Sequence, residues 1–294
     1  MKEEQITFYS EGAELVGTVY LPDDYMDGVR YPAIIPNSGY KGFNRFYPRL
    51  FARSLTAAGF VCLGFDYRGF GDSGGVPGRV LLDEQVQDIR NAITYLSTRN
   101  EVDPERVGIL GWGMGASNVI RVAAQDPRAK AVAALNGFYV GTRWLKTVHP
   151  YVRWHEIVQE VEADRTERVR TGQSRRISPF AHYPLDPLTD EHVHVELALL
   201  PTFEDWVTVQ MTESVLELDA EREAHRISPR PVFVAHGMGN LLHPLDEAGH
   251  LYEALGEPKV FYRIAGQHND FMYEDHPEYQ RLMIEVVRFF RESL

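Results

Sequence analysis

Short apolar runs alternate with longer amphipathic stretches over the first half of the chain. The apolar runs are ELVGTVYL (14–21), YPAIIP (31–36), FVCLGFDY (60–67), RVGILGW (106–112) and AVAALNG (131–137). The stretches between them, at 47–59, 81–99 and 115–125, carry apolar residues three and four positions apart, as amphipathic helices do. Strands that are apolar throughout and separated by helices predict an α/β fold, in which helices cover both faces of a mostly parallel sheet.

The same alternation returns at the end of the chain, after an intervening segment of different character. Strand-like runs lie at 231–237 and 259–266, and helical patterns lie at 247–255 and 277–294. The intervening segment is rich in Arg, His, Trp and Glu, has helical patterns at 153–172 and 202–218, and shows no strand-like alternation. We therefore predict a core formed by residues 1–137 and 229–294 and a helical cap formed by residues 138–228. The cap is expected over the carboxyl edge of the sheet, where open α/β folds bind ligands; a separate helical domain beside the core is the alternative.

Composition and net charge indicate which classes of binding partner this protein is expected to have. A chain of 294 residues with 44% hydrophobic and 24% charged residues is typical of a globular protein, and its net charge of -12 disfavours nucleic acid and anionic membranes as partners. Cys62 is the single cysteine, so we expect no intrachain disulfide and no cysteine-based metal site. The first residues lack the apolar stretch of a signal peptide, and no run reaches the length of a membrane span, so a cytoplasmic location is expected. The oligomeric state stays open, a homodimer included.

Four sequence motifs follow one another along the chain, and both their residues and their order are informative. They are FDYRGFGDSGG (65–75), VGILGWGMGASNVI (107–120), VFVAHGMGN (232–240) and IAGQHNDF (264–271). In this order they resemble four segments of the α/β-hydrolase fold superfamily, in particular its capped esterases, lipases and C–C hydrolases: a strand-end turn, the nucleophile turn, the acid segment and the histidine loop. The resemblance implies a catalytic triad beside two backbone donors that form an oxyanion hole. By this resemblance, those donors in this chain would be the N–H groups of Met114 and Tyr40.

Two of the three triad positions depart from the superfamily's pattern. Gly113 occupies the nucleophile position and Asn240 occupies the acid position, whereas His268 matches the base. Glycine has no side chain with which to attack, so the standard acyl-enzyme mechanism is excluded for this sequence. An Asn amide accepts a hydrogen bond from the imidazole but does not stabilise an imidazolium by charge, and such a change costs about 10⁴ in rate in serine proteases.

Neighbouring residues are weaker candidates for the missing roles. Ser117 lies one helical turn beyond the glycine and Cys62 lies inside a strand, so we expect a helix hydroxyl bonded to the backbone and an inert core thiol. His243 is close to the acid position and is expected to line the cleft. Asp270 follows His268 by two residues and is an alternative partner for orienting that ring.

Three hypotheses about function follow from these positions. In the first, the protein is an enzyme that acts on a small carbonyl-containing substrate without a serine nucleophile. His268 is then a general base on water or on the substrate, and the reaction is hydrolysis or lyase-type cleavage of a C–C or C–O bond. In the second, the fold is a non-catalytic module that binds a ligand. In the third, the protein is an ordinary serine esterase-like hydrolase in which glycine has replaced the nucleophilic serine.

The predicted cap is expected to select the substrate, because it supplies flat apolar side chains. We predict contacts with the substrate from Trp144, Trp154 and Trp206. His192 and His194 alternate as a metal-binding pair does, but no suitably spaced third ligand accompanies them, so no metal is expected. The GWGMG turn lacks the G-x-G-x-x-G spacing of dinucleotide-binding loops, so we expect no nucleotide and no other cofactor.

Overall fold

A computed structural model of the chain describes residues 1–200, 203 and 205–294. These residues form ten strands, eight of which make one sheet in the order β1-β2-β4-β3-β5-β6-β9-β10. The first three strands of that order pair antiparallel and all the other pairs are parallel. The strands are β1 (Lys2–Ser10), β2 (Ala13–Leu21), β3 (Tyr31–Asn37), β4 (Val61–Phe65), β5 (Val102–Trp112), β6 (Ala131–Leu135), β7 (Arg176–Ile177), β8 (Val207–Thr208), β9 (Val232–Gly237) and β10 (Lys259–Ile264).

Helices cover both faces of this sheet. They are α1 (Tyr47–Ala57), α2 (Leu82–Ser97), α3 (Met114–Gln125), α4 (Gly141–Val148), α5 (Tyr151–Thr171), α6 (Pro187–His192), α7 (Gln210–Leu216), α8 (Glu221–Ala224), α9 (Leu245–Ala254) and α10 (Pro277–Ser293). Alternate residues of a strand face opposite sides of a sheet. On β6, Val132 and Ala134 are buried with apolar residues of α2, α3 and α9, whereas Ala131, Ala133 and Leu135 are buried with those of α1 and α10. The predicted α/β fold with a mostly parallel sheet is therefore confirmed.

Each strand-like run in the sequence lies on a strand of this sheet, but the edge strand β1 was not predicted. This strand pairs antiparallel with β2 at the edge of the sheet and buries Ile6 and Phe8 on one face. Apart from the buried Ser10, its other side chains are largely polar and exposed, because an edge strand has one face in solvent. Because β1 contains many polar residues, its sequence does not stand out as a strand in the way that the fully apolar runs do.

The segment between β6 and β9 is mainly helical, but it also holds the two-stranded antiparallel pair of β7 and β8. The expectation that this segment has no strand is therefore wrong. The helix predicted over 202–218 begins only at Gln210, because the β-branched residues Val207 and Thr208 pair with Ile177 and Arg176 instead. Residues 202 and 204 of that predicted helix lie outside the described residues. Within the described part of the chain, no helix is long and apolar enough to cross a membrane.

Candidate active site

The turn between β5 and α3 brings residue 113 to the carboxyl edge of the sheet. Gly113 has φ of 58° and ψ of -124°, a conformation that glycine adopts freely and other residues adopt at a cost. Its N–H donates to the carbonyl oxygen of Leu135, at the end of β6, over 2.9 Å. The chain therefore makes the sharp strand-to-helix turn that the GWGMG motif predicts.

The three glycines of this turn differ in what surrounds them. A Cβ atom added at Gly111 would lie 2.2 Å from the carbonyl oxygen of Gly115, and one added at Gly115 would lie 2.1 Å from that of Ser38. Both positions require glycine because backbone atoms approach too closely for any side chain. A Cβ atom added at Gly113 would have His243 and His268 as its nearest neighbours, both at 3.7 Å. Packing therefore leaves room for a side chain at position 113, directly in front of two imidazole rings.

The two predicted oxyanion donors lie beside this turn. Met114 is the first residue of α3, so its N–H has no carbonyl partner within the helix. Tyr40 lies in the loop after β3, and its N–H has no hydrogen-bond partner among the described residues. The loop packs tightly on the turn, since a Cβ added at Gly39 would lie 3.1 Å from the oxygen of Trp112 and 3.9 Å from the nitrogen of Met114.

A cavity of about 70 Å³ opens above Gly113 and is lined by Tyr40, Met114 and His268 as well. Its other walls are largely aromatic and aliphatic, and they include Phe46, Tyr47, Trp112, Phe180, Leu185 and Leu242. Its polar lining includes Tyr183, Thr189 and Asn269. The space is apolar and small, with a few polar groups, as is typical of a site for a small organic molecule.

Asn240 connects His268, which lines this cavity, to His243. The backbone N–H of His243 donates to Oδ1 of Asn240 over 2.9 Å, which identifies that atom as the amide oxygen because a backbone N–H cannot accept. The amide nitrogen Nδ2 therefore faces Nδ1 of His268, at 3.1 Å. Nδ2 can only donate, so Nδ1 of His268 accepts this hydrogen bond.

The hydrogen bond from Asn240 fixes the protonation of His268. Burial lowers the pKa of His268 to about 3, with smaller contributions from His236 and His192, so the ring is neutral at pH 7. A neutral ring that accepts at Nδ1 carries its proton on Nε2, the nitrogen that lies 3.7 Å from the Cβ position of residue 113. The predicted role of His268 as a general base disagrees with this arrangement, because Nε2 is already protonated. His268 presents a hydrogen-bond donor at residue 113 instead.

His243 lies behind the cavity wall rather than on it. Its Nδ1 donates to the carbonyl oxygen of Asn136 over 2.6 Å, and its Nε2 accepts from the hydroxyl of Tyr183 over 2.7 Å. Burial lowers the pKa of His243 well below its usual value, with His268 adding to the effect, so this ring is neutral as well. The two rings meet edge to face with their centres 4.7 Å apart.

The sequence analysis missed Asn136 and Tyr183. Asn136 follows β6 with a φ of 52°, and its side-chain nitrogen donates to the carbonyl oxygen of His268 over 3.1 Å. A polar residue at the carboxyl end of a parallel strand was the signal for Asn136. Tyr183 reaches the site from the Pro-rich linker SPFAHYPLDPLTDEH (178–192), and no local pattern in the sequence distinguishes it from the other tyrosines.

The three tryptophans predicted to contact the substrate lie elsewhere and are absent from the described lining of the cavity. Trp144 is buried and donates from its ring nitrogen to the carbonyl oxygen of Leu242 over 2.8 Å, so it supports the wall from behind. Lys146 lies 5.3 Å from the ring of Trp154. Arg176 stacks at 3.8 Å on the ring of Trp206.

The weaker nucleophile and acid candidates also have structural roles. Ser117 is buried and donates to the carbonyl oxygen of Phe138. Cys62 is buried within β4, and burial raises the pKa of its thiol to about 12. Asp270 accepts from the N–H of Gln267 over 2.7 Å. Among the residues that the structure describes, no cluster of His, Cys, Asp and Glu side chains could hold a metal ion.

Comparisons with known proteins agree with this architecture. A family profile described as X-Pro dipeptidyl-peptidase (S15 family) matches residues 11–270. An uncharacterized 31.7 kDa protein in the traX-finO intergenic region of Escherichia coli is 35% identical over 132 residues, which are 45% of this chain and only 44% of that protein. The acyltransferase drtE of Aspergillus calidoustus is 25% identical over 90% of this chain and 88% of its own. The crystal structure of the alpha/beta hydrolase GrgF from Penicillium sp. sh18 superimposes with a TM-score of 0.83 at 19% identity, covering 100% of this chain and 99% of the other, which shows a shared fold.

Proposed function

This chain belongs to the X-Pro dipeptidyl-peptidase (S15) family, and we propose that it acts on a small carbonyl-containing substrate without forming a covalent acyl-enzyme. One observation carries the proposal. Nδ2 of Asn240 donates to Nδ1 of His268 over 3.1 Å, in front of a residue that has no nucleophilic atom. A ring in this state does not deprotonate an attacking hydroxyl, but it does donate a hydrogen bond to a substrate oxygen.

In the proposed reaction, the N–H groups of Met114 and Tyr40 hold the carbonyl oxygen of the substrate. Nε2–H of His268 donates to a second oxygen atom or to the same carbonyl. Donors that are fixed in advance stabilise developing negative charge without reorganising during the reaction. The space above Gly113 takes the attacking water or the reacting atom of the substrate. This arrangement supports hydrolysis or lyase-type cleavage of a C–C or C–O bond next to the carbonyl.

Two further observations support the substrate class. The cavity is about 70 Å³ in volume and its walls are mainly apolar, which suits a small acyl or ketone group. A relative matched over most of its length is named an acyltransferase, so acyl groups are among the compounds handled by similar proteins.

We further propose that residues 138–228 act as a cap that closes the cavity and selects the substrate. Phe180, Tyr183, Leu185 and Thr189, all from this segment, line the cavity together with residues of the sheet edge. In this proposal the substrate is therefore selected by side chains of the linker 178–192. The three tryptophans of residues 138–228 are not among the described residues that line the cavity.

Matched variants of His268 test the proposal with three probes: 4-nitrophenyl acetate, S-phenyl thioacetate and 2,4-pentanedione. We expect the wild-type protein to turn over at least one of them without an acyl adduct in intact-mass spectra. His268→Gln carries an amide N–H near the position of Nε2–H, so it should keep kcat within about tenfold, whereas His268→Ala should lose about 10²-fold or more. An acyl adduct on the wild-type protein, or a Gln variant as slow as the Ala variant, contradicts the proposal.

The room at position 113 favours a second candidate, a serine hydrolase whose nucleophile has been replaced by glycine. A Cβ atom there would have the two imidazole rings as its nearest neighbours, at 3.7 Å. This candidate predicts a serine codon at position 113 in the natural gene, and it predicts that Gly113→Ser alone hydrolyses 4-nitrophenyl acetate through an acyl-enzyme. Asn240 argues against it, because the protonated Nε2 of His268 would face the new hydroxyl.

A further inference from the structure

A buried hydrogen-bonded chain runs from Asn136 through His243 to Tyr183, and the reaction described above does not use it. We propose that Tyr183 and His243 form the proton-accepting pair of this site, a role that rests on the proposed function. Tyr183 takes the proton from the substrate or from water, and His243 receives the proton that Tyr183 gives up.

The direction of each hydrogen bond in this chain follows from its partners. The backbone carbonyl of Asn136 can only accept, so Nδ1 of His243 carries a proton and donates it over 2.6 Å. In a neutral ring Nε2 is then unprotonated and accepts from the hydroxyl of Tyr183 over 2.7 Å. The chain therefore ends in a ring lone pair that is hydrogen-bonded to the hydroxyl of Tyr183, a residue that lines the cavity.

Tyr183 is placed to transfer a proton between this ring and a bound molecule. It lines the cavity, and its ring stacks on that of Tyr40 with the centres 4.7 Å apart, which fixes its orientation. The hydroxyl oxygen gives its proton to His243 and keeps lone pairs with which to accept another. The edge of the His243 ring also lies 3.7 Å from the Cβ position of residue 113, so the pair adjoins the reacting centre.

The neighbouring histidine does not compete for this role. The Nδ1 lone pair of His268 accepts from Asn240, and its Nε2 carries a proton. The two rings therefore have different roles. His268 donates a hydrogen bond to a substrate oxygen, and His243 accepts a proton through Tyr183. The two asparagines enforce this division: Nδ2 of Asn240 donates to Nδ1 of His268, and the carbonyl oxygen of Asn136 accepts from Nδ1 of His243.

Two protons move in the proposed step. A C–H bond next to the substrate carbonyl, or an O–H bond of the attacking water, breaks and its proton moves to the oxygen of Tyr183. The original hydroxyl proton of Tyr183 moves to Nε2 of His243, which becomes an imidazolium still bonded to the carbonyl of Asn136. The electron pair of the broken bond stays on the substrate carbon, which gives an enolate, or on the water oxygen, which forms a bond to the carbonyl carbon. In either case the N–H groups of Met114 and Tyr40 hold the carbonyl oxygen that gains negative charge. When the carbonyl re-forms and the bond to the leaving group breaks, the two transfers reverse and the proton moves to the leaving group.

Substitutions at both residues of the pair test the inference on the probe that the wild-type protein turns over. Tyr183→Phe removes the hydroxyl and keeps the aromatic stack, and His243→Asn keeps a donor for the carbonyl of Asn136 and removes the acceptor. We expect each variant to lower kcat by about 10²-fold to 10⁴-fold with KM nearly unchanged, and to abolish the solvent isotope effect of the wild-type protein. The control, Tyr139→Phe, removes a buried hydroxyl outside the cavity and should retain wild-type kcat.

The outcomes separate the inference from the proposed function. Wild-type kcat, or an unchanged solvent isotope effect, in a Tyr183→Phe or His243→Asn protein with native thermal stability overturns the inference and leaves the proposed function standing. If one variant fails to fold, the other decides. A wild-type protein that turns over none of the three probes overturns the proposed function, and the inference falls with it.

Discussion

The amide nitrogen of Asn240 lies 3.1 Å from Nδ1 of His268, and the amide oxygen of Asn240 accepts from the backbone of His243. An aspartate at position 240 would place an acceptor where Nδ2 now donates. The imidazole would then carry its proton on Nδ1 and turn its Nε2 lone pair towards residue 113, as a serine hydrolase needs. A single amide group therefore decides whether His268 is a donor or a base.

Restoring both altered positions should create a serine hydrolase. Gly113→Ser alone places a hydroxyl near a protonated Nε2 and should give little activity. With Asn240→Asp added, His268 becomes a base and the hydrolysis of 4-nitrophenyl acetate should rise about 10⁴-fold over the single variant. Stopped-flow absorbance should show a burst, and intact-mass spectrometry should show an acyl adduct on the double variant. Equal activity in the single and double variants would mean that Asn240 does not control the ring.

The glycines of the GWGMG turn should respond differently to alanine. Gly113→Ala should cost about 1–3 kcal/mol of unfolding free energy, because the position has room but an unfavourable backbone angle. Gly111→Ala and Gly115→Ala should cost more, since their Cβ atoms would lie 2.2 Å and 2.1 Å from carbonyl oxygens. Urea unfolding measures all three. The control is Gly249→Ala, inside α9 with nothing within 4 Å of its added Cβ, which should stabilise the protein by about 0.5–1 kcal/mol.

The buried histidines should make the protein less stable in acid. Burial lowers the pKa of His236 to about 4 and that of His268 to about 3, and it lowers the pKa of His243 well below its usual value. Below about pH 6.5 the unfolded chain binds protons at these residues that the native state does not bind, so unfolding free energy falls as pH decreases towards about 4. Each ring contributes a slope of up to about 1.4 kcal/mol per pH unit.

A variant of His236 measures the contribution of one histidine to this pH dependence of the unfolding free energy. His236→Gln keeps a donor for the carbonyl oxygen of His243, to which Nε2 of His236 now donates over 2.7 Å, and it removes the titrating ring. Urea unfolding at several values between pH 7 and pH 4 should then give a shallower dependence, by up to about 1.4 kcal/mol per pH unit. The same slope in wild type and variant would show that His236 binds a proton in the native state.

The fold and the position of the site followed from local patterns in the sequence, whereas the chemistry of the site did not. Apolar runs predicted the parallel strands, and motif order brought Gly113, Met114 and His268 to one cavity. The role of His268 depends on the orientation of the Asn240 amide, which a backbone N–H three residues further along the chain decides. The hydrophobic periodicity of a sequence does not predict such a hydrogen bond.

Residues that reach the site from distant segments were the hardest to predict. The hydroxyl of Tyr183 meets a ring that is 60 residues away in the sequence. Aromatic content alone favoured the tryptophans, but Trp144 packs behind the cavity against Phe138, with the ring centres 4.2 Å apart. A large apolar side chain predicts burial, and it does not predict which cavity the chain will line.

Asn240 holds His268 in the neutral form with its proton on Nε2, and every other role assigned at this site depends on that state. Nitrogen-15 NMR of histidine-labelled protein at pH 7, assigned with His268→Gln, measures this directly. We expect a protonated, pyrrole-type Nε2 and an unprotonated, pyridine-type Nδ1 for His268, with the two types exchanged in Asn240→Asp. An unprotonated Nε2 in the wild-type protein would show that Asn240 does not hold the ring in this form.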